Sequence, residues 1–271
     1  MIKNRQELLF LYDVTDANAN GDPLDENKPR VDEDTGINIV TDVRLKRTIR
    51  DYLMNYKGYD GESGKDIFVK EVQSLSGKGL KDGKSRAKDF NEDPQEVLDR
   101  AIDIRLFGGV IPLPNDSITF TGPVQFNMGR SLNKVNVVQI KGTGAFAAKD
   151  GQAKTFREEY IVPYSLIAFY GIVNENAAKE TKLSDEDVRL MEEAIWLGTK
   201  NLITRSKMGH MPRLFMRVIY KEGLNYFIGD LQKKVVMKPK TDELKVRSTK
   251  DYKLDITMLI NELIDNKDRI E

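Results

Sequence analysis

Four basic side chains, Arg44, Lys46, Arg47 and Arg50, fall between Val43 and Arg50 with no acid among them. Guanidinium and ammonium groups at this density have one ready chemistry, the gripping of phosphate. Arg does it with two parallel hydrogen bonds, which a flexible Lys cannot match. Two later stretches repeat the pattern. Ser117 to Lys149 holds no acid and four bases, Arg130, Lys134, Lys141 and Lys149. Ala194 to Lys221 holds no acid and six bases, Lys200, Arg205, Lys207, Arg213, Arg217 and Lys221. The chain as a whole is neutral, with 43 acidic and 43 basic side chains. A phosphate backbone, however, responds to local potential within a Debye length of ~8–10 Å. Ordinary surface variation can produce the same unevenness, and a basic helix face can simply be a solvated one.

The acids gather elsewhere. Eight lie between Asp13 and Asp34, against two bases, Lys28 and Arg30. Asp22, Asp25, Asp32 and Asp34 could hold Mg²⁺ and polarise a phosphate. The plainer reading of Asn20-Gly21-Asp22-Pro23 is turn chemistry. Other catalytic chemistries lack their parts. There is no cysteine, and His210 is the sole histidine, so zinc sites built on several histidines are excluded. Any Ser-His-Asp scheme would have to run through His210. Gly79-Leu80-Lys81-Asp82-Gly83-Lys84-Ser85 resembles a phosphate-binding loop, but it is one residue short between its glycines and lacks the preceding apolar strand. No cofactor and no metal is called for. Neither a membrane-length apolar run nor a secretory leader is present, and the expected location is cytoplasmic.

The elements that must carry these residues follow from periodicity. Glu7 to Val14 is an apolar run of strand length, followed by a long acidic loop from Thr15 to about Val40. Thr41 and Asp42 offer an N-cap for a helix to Tyr56, with Leu45, Ile49, Tyr52, Leu53 and Tyr56 on its apolar face and the four bases facing outward. Residues 57–100 read as an inserted lobe with helical patterns from Lys65 to Leu75 and Pro94 to Ile102. Strands are expected over Ile102 to Leu106 and Ser117 to Phe126. Asn127 to Glu159 reads as a β-hairpin arm whose tip lies between Gly142 and Gly151. Phe146, near that tip, could wedge between bases or pack on protein. Tyr160 to Val173 is the expected central strand. Ser184 with Asp187 makes a capping box for a helix reaching about Ile203, and the basic turn Arg205-Ser206-Lys207-Met208-Gly209 leads to a strand over Leu214 to Tyr220. Short strands over Asn225 to Ile228 and Lys233 to Met237, a linker, and a helix over Leu254 to Asp265 complete the chain.

Stripped of insertions the order is βαββαβ, an α+β fold on the ferredoxin-like (RRM-like) plan. The expected main body comprises residues 1–56, 101–126 and 160–237, with a helical lobe at 57–100, a β-hairpin arm at 127–159 and a linker and C-terminal helix at 238–271. Such a plan hosts many functions.

The wording is more specific than the plan. It includes Asn18-Ala19-Asn20-Gly21-Asp22-Pro23, Val40-Thr41-Asp42 leading into Lys46-Arg47, Arg105-Leu106-Phe107-Gly108, Thr121-Gly122-Pro123-Val124-Gln125-Phe126, Arg130-Ser131 and Arg205-Ser206-Lys207. Together, from about Leu8 to Tyr220, these resemble the seventh CRISPR-associated protein family, the backbone subunit of type I Cascade complexes. The type I-B branch is nearest and type I-C next. The resemblance implies a hand-like, non-catalytic subunit, the main body being a ferredoxin-like palm and the β-hairpin arm a thumb, that lines up in copies along CRISPR RNA, beside other Cascade subunits, and presents the guide for pairing with target DNA. The RNA-binding residues it suggests are Arg44, Lys46, Arg47, Arg50, Arg105, Gln125, Arg130, Phe146, Arg205, Ser206 and Lys207. Arg105, Gln125 and Arg130 are expected at strand ends near the thumb base. Arg105 could instead pair with Asp103 or Asp116, and Arg130 could only brace the arm. Type III relatives that cut RNA with a loop aspartate keep an enzymatic alternative open.

Overall fold

The computed structural model describes residues 1–74, 77, 79–114, 116–147 and 154–271, and at 143–147 and 154–156 it describes the backbone. Strand β1 (Gln6–Ala17) is buried along most of its length because both of its faces are covered. The acidic stretch after it is not one open loop. It folds into β2 (Gly21–Asp22) paired with β3 (Lys28–Pro29), then β4 (Val31–Asp32) paired with β5 (Ile37–Val40). Helix α1 (Asp42–Tyr56) starts where expected, with the Thr41 side chain accepting from the Arg44 N–H. Its buried face is Leu45, Thr48, Ile49, Tyr52 and Leu53. Tyr56, expected there, is instead 58% exposed, since the helix end overhangs the core.

In the inserted lobe, α2 (Gly83–Ala87) and α3 (Pro94–Arg100) are the helices, and the expected helix over Lys65 to Leu75 is not formed across its described residues. Phe68, Ala87, Phe90, Val97 and Leu98 share a small core with Ala101, Ile104 and Ile111. Ile102 to Leu106 proves to be helical, as α4 (Ile102–Phe107). A six-residue run buried on nearly all sides carries no period that separates strand from helix. The expected strand from Ser117 to Phe126 is also cut. β6 (Gly108–Pro112) and β7 (Ser117–Thr121) form their own hairpin, and β8 (Val124–Phe126) joins the main sheet. The cut is steric. A Cβ on Gly108, whose φ is +67°, would fall 2.2 Å from the Phe120 carbonyl oxygen, and one on Gly122 would fall 2.1 Å from the Phe107 carbonyl. The Arg-Leu-Phe-Gly and Thr-Gly-Pro motifs are therefore two halves of one backbone contact.

β9 (Gly129–Lys134) belongs to the main sheet, so the arm is shorter than expected: β10 (Val138–Ala147) against the start of β11 (Lys154–Val173), from Val138 opposite Ile161 outward. Helices α5 (Glu175–Thr181) and α6 (Asp185–Lys200) follow, the latter with a complete Ser184–Asp187 capping box. β12 (His210–Ile219) returns to the sheet. Residues Asn225 to Ile228, expected as a strand, have no regular structure, and the next strand is β13 (Val236–Pro239), paired with β14 (Tyr252–Asp255). The terminal helix α7 (Thr257–Asp265) begins three residues later than expected, because Leu254 is taken by the ladder.

The result is a mixed α+β fold around a large antiparallel sheet, in the order β12-β1-β11-β9-β5-β4, with β8 and β10 also pairing β11. Leu8, Phe10, Tyr12 and Val14 on one face of β1 pack beneath α1 and α6. Leu9 and Leu11 on the other face pack with Tyr220, Leu231, Val235 and Leu259 of the C-terminal segment. The open sheet face on which RRM proteins stack bases is thus covered here. Two buried acids anchor that cover. Glu7 accepts from Tyr170, Tyr220 and the backbone of Ile228 and Gly229, and Asp13 accepts from Tyr164 and Arg213. Among the described residues, no helix is long and apolar enough to cross a membrane.

Candidate nucleic-acid interface

With the sheet face closed, the basic side chains that remain accessible lie at its end and edges. The four bases of α1 do not make one outward track. Arg50 is 12% exposed in its side chain and bonds Asp103 at 2.8 Å. Asp103 is fully buried and also accepts the N–H groups of Phe68, at 2.7 Å, and Val69, at 3.1 Å. Lys46 bonds Asp42 at 3.0 Å and reaches the Gln125 side-chain oxygen at 3.4 Å. Lys46 and Arg50 both lie over the Phe107 ring. Arg47 does look outward, at 49% exposure, paired with Asp51. The expectation of four outward bases is corrected because α4 and the inserted lobe close over half of that helix face.

Arg44 turns the other way, toward the turn after α6. Its side-chain hydrogen bond goes to the Thr48 hydroxyl, at 3.2 Å, and among the described residues it makes no ion pair. The turn is drawn in by backbone contacts: the Asn18 N–H donates to the Ser206 carbonyl at 2.9 Å and the Thr15 N–H to the Gly209 carbonyl at 3.0 Å. Gly209 permits this approach, since a Cβ there would lie 1.9 Å from the Thr15 oxygen. Lys207 donates to the carbonyls of Asn18 and Ala19. Burial first, and the charge of Arg44 second, push the Lys207 ammonium down to about 8. Burial likewise lowers Arg44. Neighbouring His210 stacks on Tyr12 at 5.6 Å and is pushed down to about 3, by burial and then by Lys207, so it is neutral near pH 7. Among the described residues its buried Nε2 has no hydrogen-bond partner; it faces a small cavity lined by Tyr12, Arg44, Thr48 and Thr199. Asp51 acts on Arg44 only through its charge, so among the described residues neither of these partly desolvated cations has an ion pair, an arrangement that a bound anion would stabilise.

The other expected site residues are dispersed. Arg205 is 60% exposed and bonds Glu159 at the base of the arm through two contacts, 2.6 and 3.0 Å, while Ser206 beside it is exposed. Arg130 is 55% exposed on β9, 3.4 Å from Asp32. Gln125 is exposed on β8 and donates to the Gly122 carbonyl. Arg105 is neither on a strand nor paired with Asp103 or Asp116. It grips Asp187, the capping residue of α6, at 2.7 and 3.0 Å and donates to the Leu98 carbonyl, which makes it a bracket between α4, the lobe and α6. The side chain of Phe146 lies outside the described residues.

The acidic segment is held internally. Asp22 bonds Arg30 at 2.6 Å, Asp25 bonds Lys28 at 2.7 Å, and Asp32 accepts from the Thr35 N–H. Among the described residues, no three His, Asp or Glu side chains are placed to hold a metal ion. The sequence reading missed the asparagines that frame this segment. Asn20 accepts from both the N–H and the hydroxyl of Thr41, fastening the segment to the start of α1. Asn38 donates to the Arg30 carbonyl and accepts from Ser165. The recurring Asn was a usable signal, but turn propensity explained it too readily.

Residues 4–257 match the family model described as CRISPR-associated protein Cas7. A Haloferax volcanii protein, CRISPR-associated protein Cas7, is 36% identical over 301 residues, covering 99% of this chain and 85% of its own length. Among solved structures, a chain of a CRISPR RNA-guided surveillance complex in a pre-nicking state aligns with a TM-score of 0.55 at 13% identity, covering 97% of this chain and 88% of its own. A chain of another CRISPR RNA-guided surveillance complex aligns with a TM-score of 0.51 at 14% identity, covering 85% of this chain and 73% of its own.

Proposed function

The chain belongs to the CRISPR-associated protein Cas7 family, and we propose that it is the non-catalytic, RNA-binding backbone subunit of a type I Cascade complex. In this reading copies of the chain line up along CRISPR RNA in the cytoplasm, beside other Cascade subunits, and hold the guide for pairing with target DNA. The palm is ferredoxin-like, a description supported by the last–first–third–second order β12-β1-β11-β9. β10 and the start of β11 form its thumb.

The observation that carries the proposal is the meeting of Arg44 and Lys207 at the sheet end, two cations with no ion pair among the described residues. A phosphate oxygen bound there would restore the solvation that burial has taken from them. Arg205 at the arm base adds to this surface, while Arg130 and Gln125, opposite Ala168 and Ile172 of β11, lie farther from the arm than the sequence suggests, and Lys46, Arg130 and Arg205 each keep an acid that RNA would have to displace. These contacts address backbone and leave base edges unread, which suits a subunit repeated along any guide sequence. Arg50 and Arg105 serve this surface by holding α1, α4 and α6 in place. In the type III-like alternative a loop aspartate cuts RNA with Mg²⁺. Asp22 and Asp25 each already share a carboxylate oxygen with a base of their own segment, which supports the non-catalytic reading.

The test is co-expression with a CRISPR array. The wild-type chain should purify through high salt with RNA attached, and an Arg44→Gln, Lys207→Gln chain should lose most of it. Wild-type material free of RNA refutes the binding role. Regularly spaced, Mg²⁺-dependent cuts in complementary RNA that vanish in Asp22→Ala or Asp25→Ala would refute the non-catalytic one.

A further inference from the structure

The β13–β14 hairpin lies across the sheet on the side away from α1 and α6. Its inward side chains Met237, Tyr252 and Leu254 pack with Leu132, Tyr164 and Leu166. Its outward side is basic. Lys238 and Lys253 are register partners across the two strands, and both are exposed. Like charges directly opposite each other weaken an antiparallel pair. Lys240, Lys245, Arg247 and Lys250, all exposed, continue the surface around the connecting turn.

The acids of the hairpin are used locally. Asp242 accepts from the Leu244 N–H, Glu243 from the Lys134 N–H, and Asp251 from the Arg247 and Ser248 N–H groups. Asp255 caps Thr257 and bonds Lys238. The hairpin's aromatic ring, Tyr252, is 8% exposed and hydrogen-bonded to Tyr164. Among the described residues the outward side carries no aromatic ring, and the Arg247 guanidinium is held by the Leu244 and Val246 carbonyls.

Single-strand binders draw much of their affinity from base stacking. A duplex requires none, and it presents one phosphate charge per ~1.7 Å of axis. We propose that the outward side of the β13–β14 hairpin is a second nucleic-acid surface, which takes the sugar–phosphate backbone of a double-stranded nucleic acid. It is separate from the Arg44–Lys207 site and does not depend on the reading of that site. The two lie on opposite faces of one end of the sheet: His210, beside Lys207, pairs with Val14, and Tyr164, beneath the hairpin, pairs with Thr15. One subunit could then grip a single strand on one side and stand against a duplex on the other.

Fluorescence anisotropy on the full chain tests this, with a labelled random-sequence DNA duplex and a labelled single-stranded RNA as probes. Lys238→Gln, Lys245→Gln, Lys250→Gln and Lys253→Gln combined should lower duplex affinity about tenfold or more and reduce its salt slope by up to about 3.6, at roughly 0.9 per phosphate contact. RNA affinity should stay within about twofold. The same four positions changed to Arg should keep duplex binding, and thermal melting should show both variants folded. Arg44→Gln with Lys207→Gln should leave duplex binding in place, so failure of the RNA reading is distinguishable from failure of this one. Unchanged duplex affinity in the Gln variant, an equal loss in the Arg variant, or an RNA loss as large as the duplex loss overturns the proposal.

Discussion

Lys207 donates to the carbonyls of Asn18 and Ala19 while the charge of Arg44 bears on it from the first turn of α1. The chain thereby joins three distant segments: the strand end after β1, the start of the first helix and the turn after α6. What meets there is positive charge, partly stripped of water. The proposed interface follows from that arrangement, since two such cations with no ion pair among the described residues would be stabilised by a phosphate.

Removing the pair should cost affinity and salt dependence together. Arg44→Gln with Lys207→Gln should reduce the salt slope for single-stranded RNA by about 1.4, at roughly 0.7 per contact. Binding titrations at several salt concentrations read this directly. Arg47→Gln alone should change the slope less.

RNA binding should also weaken as pH rises through 8. Free Lys207 is pushed down to about 8, and a bound phosphate would raise it again, so binding takes up a proton above pH 8. A fall of up to about tenfold from pH 7 to pH 9 is expected, and Lys207→Arg should flatten it. Folding responds oppositely. The unfolded lysine holds its proton up to about 10.4, so this group's burden on stability lightens as pH rises from about 8.

Acid should expose His210. Its ring resists protonation down to about 3 in the folded chain, whereas the unfolded ring accepts a proton near 6.5. Stability should therefore fall as pH drops from about 6.5 toward 3. In His210→Phe, which keeps a ring to stack on Tyr12, urea midpoints should depend less steeply on pH over that range.

Arg50 and Asp103 should behave as structural residues. Asp103→Ala leaves the Arg50 charge and the Phe68 and Val69 N–H groups without their acceptor, and breaking such a buried pair costs about 3–5 kcal/mol. Denaturant midpoints should drop accordingly. If Arg50→Ala weakens RNA binding without loss of stability, Arg50 belongs to the interface instead.

Much of this was legible in the sequence because it is local. The Thr41 cap, the Ser184–Asp187 capping box and the apolar Tyr160 to Val173 part of β11 depend on neighbours within a few residues. The choice of partners was not legible. Nothing near Arg105 points to Asp187, and nothing near Arg50 selects Asp103 over the other acids of the lobe. α4 was misread as a strand because Ile102 to Phe107 is buried on nearly every side and shows no period. The cover over the second face of the sheet was hidden for a related reason. Glu7 and Asp13 look like strand-end polar residues until Tyr170, Tyr220, Tyr164 and Arg213 arrive from far along the chain.

Stoichiometry tests the central claim most directly. Purified chain, mixed at low ionic strength with single-stranded RNAs of increasing length, can be counted by native mass spectrometry. Copy number should rise in equal steps as the RNA lengthens, whatever its sequence. One copy per RNA at every length, or no complex at all, contradicts the account.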